Sequence, residues 1–179
     1  MTDAPACRRR TPADLDACVR ALGAVHRQDG YPMNWPADPA GWLTPETLLA
    51  AWVAELDGRV AGHVALCGST SADLAPGEWS RRTGRPAAAT AVVGRLFVAP
   101  TARGHRLGAA LLALAERDAR GRGLHPVLDV LATDAAATAL YRRAGWTELT
   151  AVDQDWGAAT VTLRCFAAPL ATDPANPVG

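Results

Sequence analysis

The sequence predicts a single α/β domain, in which a mixed sheet of six or seven strands is flanked by about four helices. The chain has 179 residues, of which 49% are hydrophobic and 20% are charged. That size and composition are typical of one globular domain with its own core. Short runs of strand-forming residues alternate with longer stretches whose apolar residues recur at helical spacing. The clearest strand–helix unit spans residues 95–112.

The composition excludes several functional classes. All 18 basic residues are arginine, and the formal net charge is zero. A chain without lysine forms no lysine Schiff base, and a neutral balance gives no general reason to bind nucleic acid. No apolar run is long enough to span a membrane, and the N-terminus lacks a signal-peptide core. We therefore expect a cytoplasmic protein with no membrane or nucleic-acid partner.

The four cysteines predict neither a metal site nor a disulfide framework. Cys7, Cys18, Cys67 and Cys165 are scattered, and no CxxC pair occurs. Isolated cysteines of this kind usually behave as small buried apolar residues.

The first 30 residues predict a strand followed by a capped helix. Residues 7–10 form the strand. Thr11 is the expected N-cap, with Pro12 at the first helical position and Asp14 closing the turn. The helical stripe then continues to Gly30.

The segment 28–43 is irregular and rich in large apolar residues. Three prolines forbid a regular helix there, so we expect a surface loop. Its aromatics, including Tyr31 and Trp35, either pack onto the core or form the wall of a substrate pocket. Both interpretations remain open, and each can hold for different side chains.

The middle of the chain predicts a hairpin between two less regular segments. Residues 44–47 are expected to start a short helix. Strands at 51–55 and 59–66 flank Asp57-Gly58, a strong hairpin signal. Residues 68–89, rich in Ser, Gly, Pro and Arg, are expected to form a mobile excursion with solvated arginines.

The unit at 95–112 combines a strand, a sharp turn and a helix start. We expect the strand at 90–98, the turn at Pro100 and the helix from about 105 to 122. The first amides of a helix have no internal partner and lie at the positive end of its dipole. A small-residue turn leading into them is suited to binding a phosphate group.

A second strand–helix unit and two further strands complete the chain. The strand spans 125–131, and Asp134 is the expected N-cap of a helix at 135–144. Strands follow at 146–152 and 158–166. The tail at 167–179 contains three prolines and is expected to be disordered.

Two motifs resemble the GCN5-related N-acetyltransferase (GNAT) family. The first is the acetyl-CoA signature Arg/Gln-x-x-Gly-x-Gly/Ala, which Arg103 and Gly108 fit, although Arg106 replaces its middle glycine. We expect that replacement to be tolerated because the position is helical. The second motif, A-x-x-L-Y-x-x-x-G-[FW], matches Ala137, Leu140, Tyr141, Gly145 and Trp146.

The resemblance implies a single acyltransferase domain over residues 1–166, with acetyl-CoA as co-substrate and no metal. In the family, the fourth and fifth strands splay apart and the pantetheine arm pairs with the open edge of the fourth strand. The implied acceptor is a small-molecule primary amine, and a homodimer is compatible with the family. The implied acetyl-CoA-binding residues are Leu96, Phe97, Val98, Arg103, Gly104, His105, Arg106, Leu107, Gly108, Ala109 and Tyr141.

The resemblance also implies catalytic roles. Tyr141 matches the family's general acid, and a phenol can protonate a departing thiolate. Many relatives place a basic glutamate on the fourth strand, where this chain has Val92, Val93 and Gly94. Glu55 is our first choice for the base, followed by His26, Asp29 and His63. Tyr31 and Trp35 are the acceptor-binding candidates.

Two alternatives remain open at this point. The enzyme could transfer another acyl group or use a hydroxyl acceptor. Because a carboxylate is absent from the fourth strand, the chain could also be a CoA-binding module without catalysis.

Overall fold

The computed structural model describes residues 6–157 and 159–170, and it confirms a mixed α/β fold. A seven-stranded sheet has the order β1-β2-β3-β4-β5-β7-β6. The strands are β1 (Ala6–Arg9), β2 (Leu48–Leu56), β3 (Arg59–Gly68), β4 (Thr90–Val98), β5 (His125–Leu131), β6 (Thr147–Asp155) and β7 (Thr160–Ala167). The helices are α1 (Leu15–Asp29), α2 (Pro39–Leu43), α3 (Leu74–Thr83), α4 (Leu107–Gly121) and α5 (Ala135–Arg143).

The predicted cap before α1 is confirmed and is tied to β1. One oxygen of Asp14 accepts hydrogen bonds from the Thr11 backbone at 2.7 Å and from the Thr11 hydroxyl at 2.9 Å. Arg8 donates two bonds of 2.8 Å to the same carboxylate. These bonds hold the pKa of Asp14 well below its ordinary value. Gly30 ends α1 in the left-handed conformation, with φ 71°, where glycine carries no steric penalty.

The short helix expected at 44–47 is wrong. The helix lies just before it, as α2 from Pro39 to Leu43, and it begins where Asp38 accepts a bond of 2.9 Å from the Gly41 amide. Both segments have a polar cap residue followed by proline, so the local signal does not choose between them. Strand β2 starts at Leu48 and leaves no room for a second helix.

The mobile excursion expected at 68–89 is also wrong, because its central part, Leu74–Thr83, is the packed helix α3. Trp79 is only 2% exposed and lies in a cluster with Val127 and Cys165 on the sheet. Arg85 stacks over the Trp79 ring at 5.3 Å. The abundance of polar residues hid the apolar pair at Ala75 and Trp79, which are one helical turn apart.

Strands β4 and β5 splay apart, as the family resemblance implied. They pair in parallel only over residues 90–92 and 125–127. On its opposite edge, β5 pairs with β7 from Val127 to Leu131. Helices α1, α2 and α3 cover one face of the sheet, and α4 and α5 cover the other. The second half of β4 therefore has one unpaired edge.

The end of the described chain is more ordered than the sequence predicted. Strand β7 continues to Ala167, and the Ala168 amide donates to the Pro126 carbonyl at 3.0 Å. The predicted disorder at 171–179 lies outside the described residues. Within the described ranges, no helix is both long and apolar enough to cross a membrane. All four cysteines are unpaired, and three of them are buried.

Candidate active site

A bulge in β4 shapes the floor of the splayed region. Between His63 and Ala65 of β3, the facing stretch of β4 runs from Gly94 to Phe97 and contains one extra residue. Arg95 adopts φ 52° at this bulge, which costs an ordinary residue about 1–2 kcal/mol. This bulge was not predicted from the sequence, although an isolated glycine inside a strand pattern is a signal for one. Bulges commonly lie beside active sites because they redirect side chains.

The bulge decides which amides of β4 face the open edge. The Ala99 amide donates to the Ala61 carbonyl of β3 at 2.7 Å. Successive residues of a strand direct their backbone groups to opposite edges. Phe97 therefore faces β3, and Leu96 and Val98 face the gap between β4 and β5. The backbone groups of Leu96 and Val98 are therefore free to make the contacts that the resemblance implies for them.

The loop after β4 places unpaired backbone amides at the gap between β4 and β5. Between Gly104 and Ala109, the backbone N–H groups donate to no protein acceptor in the part of the chain that the structure describes. The first amide bound inside α4 is that of Ala110, which donates to the Arg106 carbonyl at 3.1 Å. These amides lie at the positive end of a 15-residue helix, a suitable place for a phosphate group.

Arg106 corrects one sequence expectation. We expected a helical conformation there, but Arg106 is the N-cap of α4 with φ 59°. The position therefore favours glycine, for the same reason that the family signature has one. With arginine at this position, the chain lacks the conformational freedom of glycine but has a guanidinium group beside the free amides.

These features line one cleft with a volume of about 1170 Å³. It runs between the open edge of β4, the start of α4 and the facing side of α5. His105 is the only predicted acetyl-CoA-binding residue that is absent from its described lining. The predicted residues that line it are Leu96, Phe97, Val98, Arg103, Gly104, Arg106, Leu107, Gly108, Ala109 and Tyr141.

Tyr141 enters this cleft from α5. Its ring is 7% exposed and packs beside Trp146 and Phe166, with centroid distances of 6.1 and 5.8 Å. Burial raises the pKa of its phenol above the ordinary value. The hydroxyl therefore stays protonated at neutral pH and is able to donate a proton.

Asp29 and Arg103 form an ion pair at the rim of the cleft. The Arg103 guanidinium contacts both oxygens of the carboxylate at the end of α1, one of them at 3.3 Å. Both residues line the cleft, and both are partly exposed. Asp29 was a reserve candidate for the base, and in this structure its charge is matched by Arg103.

The two predicted acceptor residues have different positions. Tyr31 lines the cleft, and its ring lies edge-on to Trp42 at 6.2 Å. Trp35 is 42% exposed, its ring packs at a tilt against that of His26 with a centroid distance of 5.2 Å, and it is not part of the described cleft lining. The structure supports the position of Tyr31 but does not bring Trp35 to the described cleft.

Glu55 is not placed where a catalytic base is needed. It lies at the far end of β2, where one of its oxygens accepts bonds of 2.6 and 3.1 Å from Arg8. It does not line the cleft. Arg8 also pairs with Asp14, so the Glu55 carboxylate belongs to an ion-pair cluster that joins β1, β2 and the turn before α1.

His63 is also unsuited to take a proton from a substrate. It is fully buried under the β4 bulge, and its Nδ1 lies 2.9 Å from the Arg95 carbonyl. Its Nε2 lies 3.0 Å from Nη1 of Arg10, which is only a donor. Nε2 must therefore accept and Nδ1–H must donate. Burial lowers the pKa of His63 to about 4.

The residues present fit acetyl-CoA. The unpaired edge at Leu96 and Val98 suits the amides of a pantetheine arm, and the free loop amides suit a diphosphate. At Gly108, an added Cβ would lie 3.4 Å from Leu140 and 3.8 Å from Val98. The glycine therefore keeps the cleft open where α4 approaches both β4 and α5.

Comparison with known proteins agrees with this geometry. The family described as "Acetyltransferase (GNAT) family" matches residues 20–146. The chain belongs to this family, and it is an acetyltransferase that uses acetyl-CoA.

Three similar proteins illustrate the range of the family. An IAA acetyltransferase of Azospirillum brasilense is 32% identical over 134 residues, covering 74% of this chain and 78% of the relative. A mycothiol acetyltransferase of Stackebrandtia nassauensis is 36% identical over 110 residues, covering 61% of this chain but 31% of the relative. A solved acetyltransferase structure from Salmonella typhimurium, with its cofactor acetyl-CoA, has a TM-score of 0.71. It is 22% identical and covers 99% of this chain and 100% of that one, which supports the fold.

Proposed function

We propose that this enzyme transfers an acetyl group directly from acetyl-CoA to the primary amine of a small molecule. The observation that carries the proposal is the convergence of three features in one cleft: the open edge of β4, the free amides before α4, and the buried hydroxyl of Tyr141. When bound, acetyl-CoA supplies an activated thioester, so positioning provides much of the rate.

The residues that line the cleft support direct transfer. Neither cysteine nor serine is among its described lining residues, so the cleft offers no thiol or serine hydroxyl to carry the acetyl group. The Val98 amide faces the open edge and is the proposed hydrogen-bond donor to the reacting carbonyl oxygen. Tyr141 is the proposed acid that protonates the departing sulfur.

Amine acceptance is tested by thiol release from acetyl-CoA over a panel of small amines, alcohols and thiols. We expect amine-dependent release, with the acetylated amine identified by mass spectrometry. Release that depends on an alcohol would replace the amine with a hydroxyl acceptor. CoA binding without release on any acceptor would favour a module that binds CoA without catalysis.

Acyl selectivity is a second measurement on the same cleft. Competition between acetyl-CoA and longer acyl-CoA molecules, at one concentration of the preferred amine, gives the ratio of kcat/KM values directly. We expect acetyl-CoA to be preferred. A longer chain that competes better would change the acyl group in the proposal.

A further inference from the structure

Arg10 and Arg95 lie on the face of the sheet that α1 and α2 cover, and neither forms an ion pair within the described residues. Arg95 projects from the β4 bulge, stacks over Trp42 at 5.0 Å and donates to the Trp42 carbonyl. Arg10 donates to the Leu43 carbonyl at 2.7 Å and to the Thr44 hydroxyl at 3.0 Å. Within the described residues, neither guanidinium lies within 4.0 Å of a carboxylate. Half-buried cations of this kind gain from an anion supplied by a ligand.

Asp129 provides the opposite charge on the same face of the sheet. It lies on β5, two residues beyond Val127, where pairing with β4 has already ended. Val127 packs against α3, and Asp129 shares its direction because side chains alternate along a strand. The carboxylate makes no hydrogen bond or ion pair with another side chain in the described chain, and its residue is exposed.

Arg95 connects to the cleft through Trp42, whose ring lies edge-on to that of Tyr31, a lining residue; neither Arg95 nor Asp129 is itself among the described lining residues. Burial raises the pKa of the Tyr31 phenol; Arg95 opposes that shift and Asp129 adds to it. Asp129 also adds to the raised pKa of Tyr141 and of Cys165.

We propose that Arg95 and Asp129 form the two charged ends of the acceptor site, so that the preferred acceptor carries both a carboxylate and a primary amine, as an α-amino acid does. Arg95 binds the carboxylate, with its planar guanidinium held on the Trp42 ring. Asp129 receives the proton of the ammonium group. This inference rests on the proposed amine acetylation, and it supplies the base that is missing from β4.

The step balances with the groups named. The acceptor ammonium gives one proton to Asp129, and its nitrogen forms a bond to the carbonyl carbon as the carbon–sulfur bond breaks. The nitrogen loses its second proton to water, and Tyr141 gives its proton to the sulfur. Water returns a proton to Tyr141, and Asp129 releases its proton to solvent. The products are the amide, CoA as its thiol, and one proton.

Matched pairs of acceptors test the carboxylate requirement on the unmodified enzyme. Phenylalanine is compared with phenethylamine, and leucine with isoamylamine, because each pair differs only by the carboxylate. We expect the amino acid of each pair to have the higher kcat/KM by about tenfold or more, as for an ion pair inside a partly buried site. Equal or better use of the decarboxylated amine would overturn the role of Arg95.

Variants separate the two ends of the site. Glycine is the natural replacement at Arg95 because the residue adopts φ 52°. Arg95→Gly is expected to raise KM for the amino acid and leave that for the amine unchanged. Arg85→Gln is the matched control, since Arg85 also stacks on a tryptophan but over α3. Arg95→Lys, which keeps the charge, is expected to recover part of the preference.

Asp129 is tested by kcat and its pH profile. Asp129→Asn is expected to lower kcat about 100-fold at neutral pH and to approach the wild type at high pH, where the amine is already neutral. Asp16→Asn is the control, at the opposite end of α1 from the cleft. An Asp129→Asn enzyme with normal kcat at neutral pH, or a loss that is equal at every pH, would remove Asp129 as the base.

The outcomes also separate this inference from the proposed function. If the wild type acetylates amines with no preference for a carboxylate, this inference fails and the proposed function stands. If no amine supports thiol release, the proposed function fails with it.

Discussion

The donor half and the acceptor half of the cleft are built in different ways. The donor half comprises the open edge of β4, the loop to α4 and the facing side of α5, and it offers mostly backbone groups from two short segments. The acceptor half draws single side chains from the end of α1, the loop after it and the end of β5, with Trp42 and Arg95 packed behind Tyr31. Backbone groups are the same in any sequence that adopts the fold, so they suit a constant donor. Side chains from separate elements are able to change one at a time, which suits acceptors that differ between relatives.

The largest expected effect distinguishes Tyr141 from Tyr31, one tyrosine in each half. Tyr141→Phe removes the proposed acid and is expected to lower kcat about 100-fold, while the Kd for acetyl-CoA measured by calorimetry stays close to wild type. Tyr31→Phe is expected to act mainly on the KM of the amine. Full turnover in Tyr141→Phe would exclude this phenol as the proton donor.

The next effect concerns His63, which is fully buried under the β4 bulge. Its pKa is lowered from an ordinary value near 6.5 to about 4, so the unfolded chain binds a proton more readily than the native protein. Its contribution to stability is complete above pH 6.5 and is lost as the pH falls through 4, by about 3 kcal/mol in total.

Chemical denaturation between pH 4 and 7 measures this contribution. His63→Gln is expected to reduce the pH slope of the unfolding free energy. Because burial also lowers the pKa of His125, some slope should remain. His105→Gln, at an exposed position in the loop before α4, is the control. A slope identical to that of wild type in His63→Gln would contradict the prediction.

A smaller effect is expected from the paired region that holds the donor edge. Gly62 faces Val98 across β3 and β4. An added Cβ would lie 3.1 Å from both Leu111 and the Phe97 carbonyl. Gly62→Ala is therefore expected to lower the unfolding free energy by about 1–3 kcal/mol and to raise the KM for acetyl-CoA.

Gly121 supplies the control for that substitution. It lies at the end of α4 with no atom near the position of its missing Cβ, so Gly121→Ala should keep or increase stability by up to about 1 kcal/mol. Equal stability for the Gly62 and Gly121 variants in urea titrations would argue against the close packing at Gly62.

The smallest effect separates charge from backbone strain at Arg106 in the donor loop. Arg106→Ala and Arg106→Gly both remove the guanidinium, and we expect each to weaken acetyl-CoA binding about fivefold at low salt. Only glycine also relieves the left-handed backbone, so the glycine variant should be about 1 kcal/mol more stable than the alanine variant.

Calorimetry at two salt concentrations checks the charge, because screening should reduce the advantage of the wild type. If both variants bind acetyl-CoA as wild type does at low salt, Arg106 takes no part in phosphate binding. Equal stability of the two variants would show that the backbone strain is absorbed elsewhere.

The sequence predicted most of the donor half because its signals are local. Pro100 and residues 103–108 are neighbours in the chain, and the capped start of α5 is a separate local pattern; in each case the spacing of nearby residues sets the geometry. The helix α3 was missed for a local reason as well, since its polar composition outweighed the single pair at Ala75 and Trp79. Glu55 was misjudged because a carboxylate near a predicted strand end says nothing about what it will meet across the sheet.

The sequence by itself determined the order of the seven strands, the free amides at the start of α4, and the presence of Tyr141 on α5. Only the tertiary structure decided that β4 bulges at Arg95, that Glu55 points to Arg8, and that Asp129 lies on the same face as Arg95. The physical reason is the range of the interactions. Capping and helix dipoles act within a few residues, whereas register shifts and the splay of two strands are set by contacts between distant segments.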